Sequence, residues 1–93
     1  MDVNRLRDHP YAQGWQRVLN EHWPAQPGDF EDRSPGIPVR ARVVWETDGE
    51  EYLSGLAVRW DRDHVYVRLH QHGGRLSAAG VWLKPADIYR NSS

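Results

Sequence analysis

Arginine, tyrosine and histidine recur at alternate positions through the second half of this chain, and they offer the most chemistry. Arg40 and Arg42 interleave with apolar residues; so do His64, Tyr66, Arg68 and His70, and Arg59 sits between Val58 and Trp60. Guanidinium groups present planar donors to carboxylates and phosphates, and a tyrosine adds flat, amphipathic area. Arranged on strands, Arg40, Arg42, Arg59, Tyr66, Arg68 and His70 make a binding face and not a reaction centre. A protein partner suits such a face, because Arg and Tyr are favoured interface anchors. A nucleic acid is the alternative, with Arg on phosphates and Tyr66 stacking on a base. The plainest reading is a solvated strand surface whose cations pair with acids across the strands.

Other constellations are weaker. None of Ser34, Ser54, Ser77, Ser92 or Ser93 sits in a Gly-x-Ser-x-Gly turn, and there is no Cys nucleophile. The carboxylate pairs Glu50-Glu51 and Asp61/Asp63 flank tight turns, where acids commonly serve solvation and turn formation. His64, His70 and His72 would share a face on a straight strand, but no acid accompanies them and they read as surface histidines, not metal ligands. Gly73-Gly74 lacks phosphate-loop spacing and reads as a hairpin tip. The expectation is a non-enzymatic chain with no cofactor and no metal.

The elements that position these residues follow from patterning. The chain has 93 residues, enough for one domain. Net charge is −1, which argues against holding DNA by bulk charge. Lys84 is the only lysine among 12 basic residues. That bias reads as codon usage in a GC-rich genome, and with the small size it suggests a bacterial or phage regulator or adaptor. No apolar run is long enough for a membrane span or a secretory signal, so a cytoplasmic protein is expected.

Tyr11, Trp15, Val18, Leu19 and His22 fall at i, i+4, i+7, i+8 and i+11, the period of an amphipathic helix. It would start near Pro10, with Asp8 or His9 near its cap, and end at Pro24. Residues 24–38, rich in Pro and Gly, read as a loop anchored by Phe30 and Ile37. From Val39 onward the pattern is period 2. Val39, Ala41, Val43 and Trp45 alternate with polar positions, and Asp48-Gly49 signals a hairpin. Tyr52, Ser54, Leu56, Val58 and Trp60 continue a second strand, in which Gly55 marks a bulge or bend. Asp61-Arg62-Asp63 forms a turn before Val65, Val67 and Leu69. Val81-Trp82-Leu83 is the best-supported part of a fourth strand, followed by a helical turn at Pro85-Ala86-Asp87 and a closing strand at Ile88-Tyr89.

The run Gly80-Val81-Trp82-Leu83-Lys84-Pro85-Ala86-Asp87-Ile88 resembles the end of an SH3-like barrel, in which a glycine and an aromatic open the fourth strand and a one-turn helix precedes the fifth. The preceding meander is similar to Tudor-like and other SH3-like barrels, and the resemblance spans about 39–90. The acidic–aromatic signature of proline-peptide-binding SH3 domains is missing near the first strand, so their ligand preference does not transfer. Fold analogy does not assign function.

The reading is a mainly β (α+β) single domain. Residues 1–38 supply the helix and the Pro/Gly-rich loop, and residues 39–93 form a five-stranded SH3-like barrel hiding Val43, Leu56, Val67 and Trp82. The acids Glu46, Asp48, Glu50 and Glu51 are expected to form a patch opposed to the arginines. The helix caps its own barrel, docks on a partner or pairs with its copy, which leaves monomer and homodimer open.

Overall fold

The computed structural model describes residues 14–25 and 30–90. Tyr11 and the expected helix start near Pro10, with its cap at Asp8 or His9, lie outside the described residues. Five antiparallel strands form one sheet in the order β4-β3-β2-β1-β5, with β1 at Glu31–Trp45, β2 at Gly49–Trp60, β3 at Val65–Leu69, β4 at Gly80–Leu83 and β5 at Ile88–Arg90. A 3-10 turn at Pro85–Asp87 links β4 to β5. This is a small β-rich domain, consistent with a small barrel.

Alternation along β1 places the core. Val39, Ala41, Val43 and Trp45 are 2%, 0%, 0% and 1% exposed. Val65, Val67 and Leu69 of β3 and Val81 and Leu83 of β4 complete the same cluster. Both hairpin turns form as their residues dictate. Gly49 closes the first with φ +79°, a conformation that L side chains rarely adopt. In the second, the Asp61 carboxylate accepts the backbone N–H groups of Asp63 and His64, each at 2.8 Å.

The second strand departs from its expected face. Val43 pairs with Glu51, Ala41 with Leu53 and Val39 with Gly55, so the odd residues of β2 share the inner face with the odd residues of β1. Leu56 therefore points outward, half-buried, and is not part of the core. The register shift lies between Ala57 and Arg59, beyond Gly55. Gly55 instead marks a close crossing, where an added Cβ would stand 2.5 Å from the Arg68 carbonyl oxygen. Trp82 is buried, but on the outer side: it pairs across the strands with Tyr66 and not with the core valines. Strand β1 also begins earlier than expected. Glu31 and Asp32 pair with Trp60 and Arg59, and the irregular stretch from there to Ile37 accommodates Pro35.

The expected N-terminal helix is not shown. Residues 16–22 run as a non-helical strap with a turn at 18–21, where the Glu21 N–H bonds back to the Val18 carbonyl, and its donors at Gln16, Leu19 and His22 reach other parts of the chain. Gln16 donates its N–H to the Arg75 carbonyl, Leu19 to Val44 and His22 to Trp82, and Arg17 accepts from Glu46, all within 2.7–2.9 Å. Strand β5 occupies the β1 edge only at Val39–Ala41. The strap takes over that edge beyond Arg42 and then reaches the free margin of β4. Asn20 ties it down: its Oδ1 accepts the Val44 N–H at 2.9 Å and its Nδ2 donates to the Arg42 carbonyl at 2.8 Å. Val18 is buried while its neighbour Leu19 is 58% exposed. The expected helix stripe would bury both.

Truncation of a core side chain should cost more than truncation of the larger outward one. Val67→Ala is expected to lose about 2 kcal/mol or more, and Leu56→Ala about half of that. Denaturant titration of both variants reads the difference, and the reverse order contradicts the assignment of faces. Asn20→Ala should lower stability by about 1–2 kcal/mol through its lost backbone partners; an unchanged melting temperature speaks against the strap.

Candidate functional site

The outward residues of β2, β3 and β4 form a cross-strand row. Arg59 pairs with Tyr66 and Tyr66 with Trp82. The Tyr66 and Trp82 rings are 5.1 Å apart at an interplanar angle of 54°, and Phe30 packs on Trp82 at 5.2 Å. Phe30 thereby fixes the entry to β1, which brings Asp32, Arg33 and Ser34 alongside the row. From the other side comes Trp23, which follows His22 and its hydrogen bond to the Trp82 carbonyl. Trp23 is 63% exposed. Between these walls lies an open groove of about 750 Å³, lined chiefly by Trp23, Tyr66, Trp82, Val58, Arg59 and Arg33.

Glycine at position 80 permits the close approach of β4 to β3 on which this row depends. A Cβ there would collide with the Val67 carbonyl oxygen and stand 3.0 Å from the Tyr66 ring. Beneath Trp23, the His22 imidazole stacks on that of His64 at 4.6 Å and 10°. His64 Nδ1 is 2.9 Å from the Asp61 carboxylate. The same carboxylate holds the second turn. Partial desolvation pulls the Asp61 pKa up, but the hydrogen bonds from Asp63 and His64 outweigh it and hold it below the ordinary carboxylate range.

The arginines expected on this face meet different fates. Arg42 is held by Glu50 at 2.7 Å and Asp87 at 3.2 Å, and the hydrogen bonds to those carboxylates raise its pKa above the ordinary guanidinium value. Arg59 is held by Asp32 at 2.5 Å. Arg40 and Arg68 are exposed and make no ion pair among the described residues. His70 is exposed at the end of β3, where its backbone N–H binds the Ser54 carbonyl. Arg40 pairs with Tyr89 of β5 and Ser54 of β2. Tyr89 in turn packs on Tyr52 at 5.8 Å. The structure thus brings Arg59, Tyr66 and Arg68 to the groove and its rim. Arg40 and His70 lie farther along the sheet, and Arg42 is committed to a structural network.

The acidic hairpin is not a free patch. Arg75 lies over the Trp45 ring at 4.3 Å, donates Nε–H to the His72 carbonyl, and pairs with Asp48 at 3.0 Å and Glu51 at 2.5 Å. Glu51 points to the inner face at the end of the sheet, and Arg75 neutralises it there. A hydrogen bond from Gln16, and then the contacts from Arg75, hold the Asp48 carboxyl below its ordinary value. Glu50 is spent on Arg42.

The histidines diverge. His64 stacks on His22, whereas the His72 Nδ1 accepts the Leu76 N–H at 3.4 Å. Among the described residues no three His, Cys, Asp or Glu side chains gather as a metal site, and no helix is long and apolar enough to cross a membrane. The groove residues that sequence reasoning did not place on a binding face are Trp23, Trp82, Arg33 and Asp32. Parity alone exposes Trp82: if Val81 and Leu83 face inward, the residue between them faces out. No local signal aligns Trp23 with it, because that alignment depends on the path of the strap.

Compared with known proteins, the chain matches no family model, no curated protein and no solved structure.

Asp48 and Asp61 both have depressed pKa values in the folded state, so each contributes stability that is fully present above the unfolded carboxylate pKa of about 4 and is lost as pH falls through the lower folded value. Thermal melts should be flat from neutrality down to about pH 5 as far as these groups are concerned, and fall in stronger acid. Asp48→Asn should melt below wild type at pH 7 and converge on it in strong acid, once the pH has fallen through the depressed folded value. A gap of constant size across that range contradicts the role of the Asp48 charge.

Proposed function

We propose that this chain is a non-enzymatic interaction module with an SH3-like barrel, whose outer sheet face binds another protein through aromatic and arginine side chains. The observation that carries the reading is the groove between Trp23, Tyr66 and Trp82, beside which Arg59 pairs with Asp32 and Arg33 makes no ion pair among the described residues. Large aromatics at a concave surface, bordered by guanidinium groups, have the composition of interface hot spots. The barrel is supported by the four-strand meander β1–β4 with β5 returning to β1, the 3-10 turn before β5 and the strap that hydrogen-bonds at both margins of the sheet.

Nucleic-acid binding is the second reading, favoured by the exposed Arg40 and Arg68 on the same sheet face as Tyr66. It is weaker because Glu50, Asp87 and Asp32 already neutralise Arg42 and Arg59. A polyanion needs a stripe of available cations, and its binding falls steeply with salt.

The test is affinity capture from the native host with the whole chain and with Tyr66→Ala. Proteins held by the wild type should be lost with the variant, at a cost of about 2 kcal/mol in affinity, with the variant shown to be folded by circular dichroism at the temperature of capture. Retention of the same proteins by the variant, or salt-steep binding of an oligonucleotide in their place, counts against the reading.

A further inference from the structure

The groove has an excess of positive over available negative charge, and that imbalance specifies its occupant more closely. Arg33 lies in its wall and makes no ion pair among the described residues. Arg68 stands two residues from Tyr66 on the same face of β3, exposed and likewise unpaired. Asp32, the one carboxylate in the lining among the described residues, is committed to Arg59. An occupant that brings carboxylates therefore gains two partners without displacing an existing pair, whereas a basic occupant would face Arg33 and Arg68 with like charge.

We propose that the groove takes an extended acidic segment of a partner protein, seating one apolar side chain against Trp23, Tyr66 and Trp82 and laying its carboxylates on Arg33 and Arg68. The proposal rests on the protein-binding reading of this face and adds the chemistry of the partner. Extended chains repeat side chains on one side every two residues, roughly 6.7 Å apart. The spacing of Tyr66 and Arg68 along β3 is the same repeat, so an acid two positions from the apolar anchor reaches Arg68 when the anchor sits on Tyr66. A nucleic acid would also meet these cations, but it needs a longer cationic track. The row toward Arg40 and Arg42 is interrupted by Ser54 and by the Glu50 and Asp87 carboxylates.

Three pools of labelled nonapeptides test it, each with a central Trp, Phe, Leu or Pro. The first carries Asp and Glu at the flanking positions, the second Ser and Gln, the third Lys and Arg. Fluorescence anisotropy with the whole chain at about 0.15 M salt should show the acidic pool binding about tenfold or more tighter than the neutral pool. Arg33→Glu and Arg68→Glu, both surface changes, should each weaken the acidic pool about tenfold and shift preference toward the basic pool. Tyr66→Ala should abolish binding of all pools. Equal binding of acidic and neutral pools, or acidic binding indifferent to both charge reversals, overturns the acidic specificity. In that case loss of binding in Tyr66→Ala still leaves the protein-binding reading standing. Binding of no pool overturns both, and so does tighter, salt-steep binding of a single-stranded oligonucleotide.

Discussion

A sheet with free margins must find partners for the backbone groups along them, and that requirement shapes the rest of this molecule. Strand β5 is only three residues long and covers the β1 edge at Val39–Ala41, leaving the stretch from Arg42 to Glu46 open. Strand β4 has β3 on one side alone. Residues 16–22 supply what both margins lack, through Leu19, Arg17 and the Asn20 side chain at β1 and through His22 at β4. The groove is a consequence of this path. Once His22 is fixed to the Trp82 carbonyl, Trp23 follows beside the outer face of β4, and the Tyr66–Trp82 row acquires its second wall.

The same geometry sorts the arginines. Those near a strand end or a turn meet carboxylates: Arg75 at the first hairpin, Arg42 at the 3-10 turn, Arg59 at the start of β1. Arg40 and Arg68 sit in mid-strand, across from Ser54 and Leu56, and find no acid opposite. Arginine suits both roles. Its planar fork lets Arg75 stack on Trp45 while donating to His72 and meeting Asp48 and Glu51, a combination that a lysine ammonium does not provide. A near-neutral total thus conceals local differences in which charges remain available.

Much of the strand architecture was legible because it rests on local chemistry. Period-2 alternation placed Val39, Ala41, Val43 and Trp45 inside, and Asp48-Gly49 and Asp61–Asp63 gave the turns. The errors fall where register or tertiary partners decide. Period 2 with a bend at Gly55 puts Leu56 inside with Trp60; the bulge lies instead between Ala57 and Arg59, so Trp60 packs on the core while Leu56, before the bulge, faces out. The spacing of Trp15, Val18, Leu19 and His22 fits a helix stripe, but Gly14 adopts φ +83° and the donors after it are taken by distant carbonyls. Propensity is a weak prior against several tertiary hydrogen bonds. Arg59 shares the outward row with Tyr66 because the bulge after Ala57 resets the phase of β2. Trp23 was not legible, since only the strap aligns it.

The distribution of tryptophan makes the last point about this fold. Among the described residues the core of the sheet is built mostly from Val, Ala and Leu, with Trp45 at one end and a partly buried Trp60 packed against it. A small domain gains most from burying its largest apolar side chains. Here Trp82 is instead buried on the outer side under Phe30 and Tyr66, and Trp23 stays mostly in water. Inner positions opposite Gly55 and Ala57 have little room for an indole, because Cβ-less and small residues bring β1, β2 and β3 close together. The aromatic area that the interior cannot hold collects on one side of β4. It is that displacement, and not any single motif, that leaves a concave aromatic surface on the outer face.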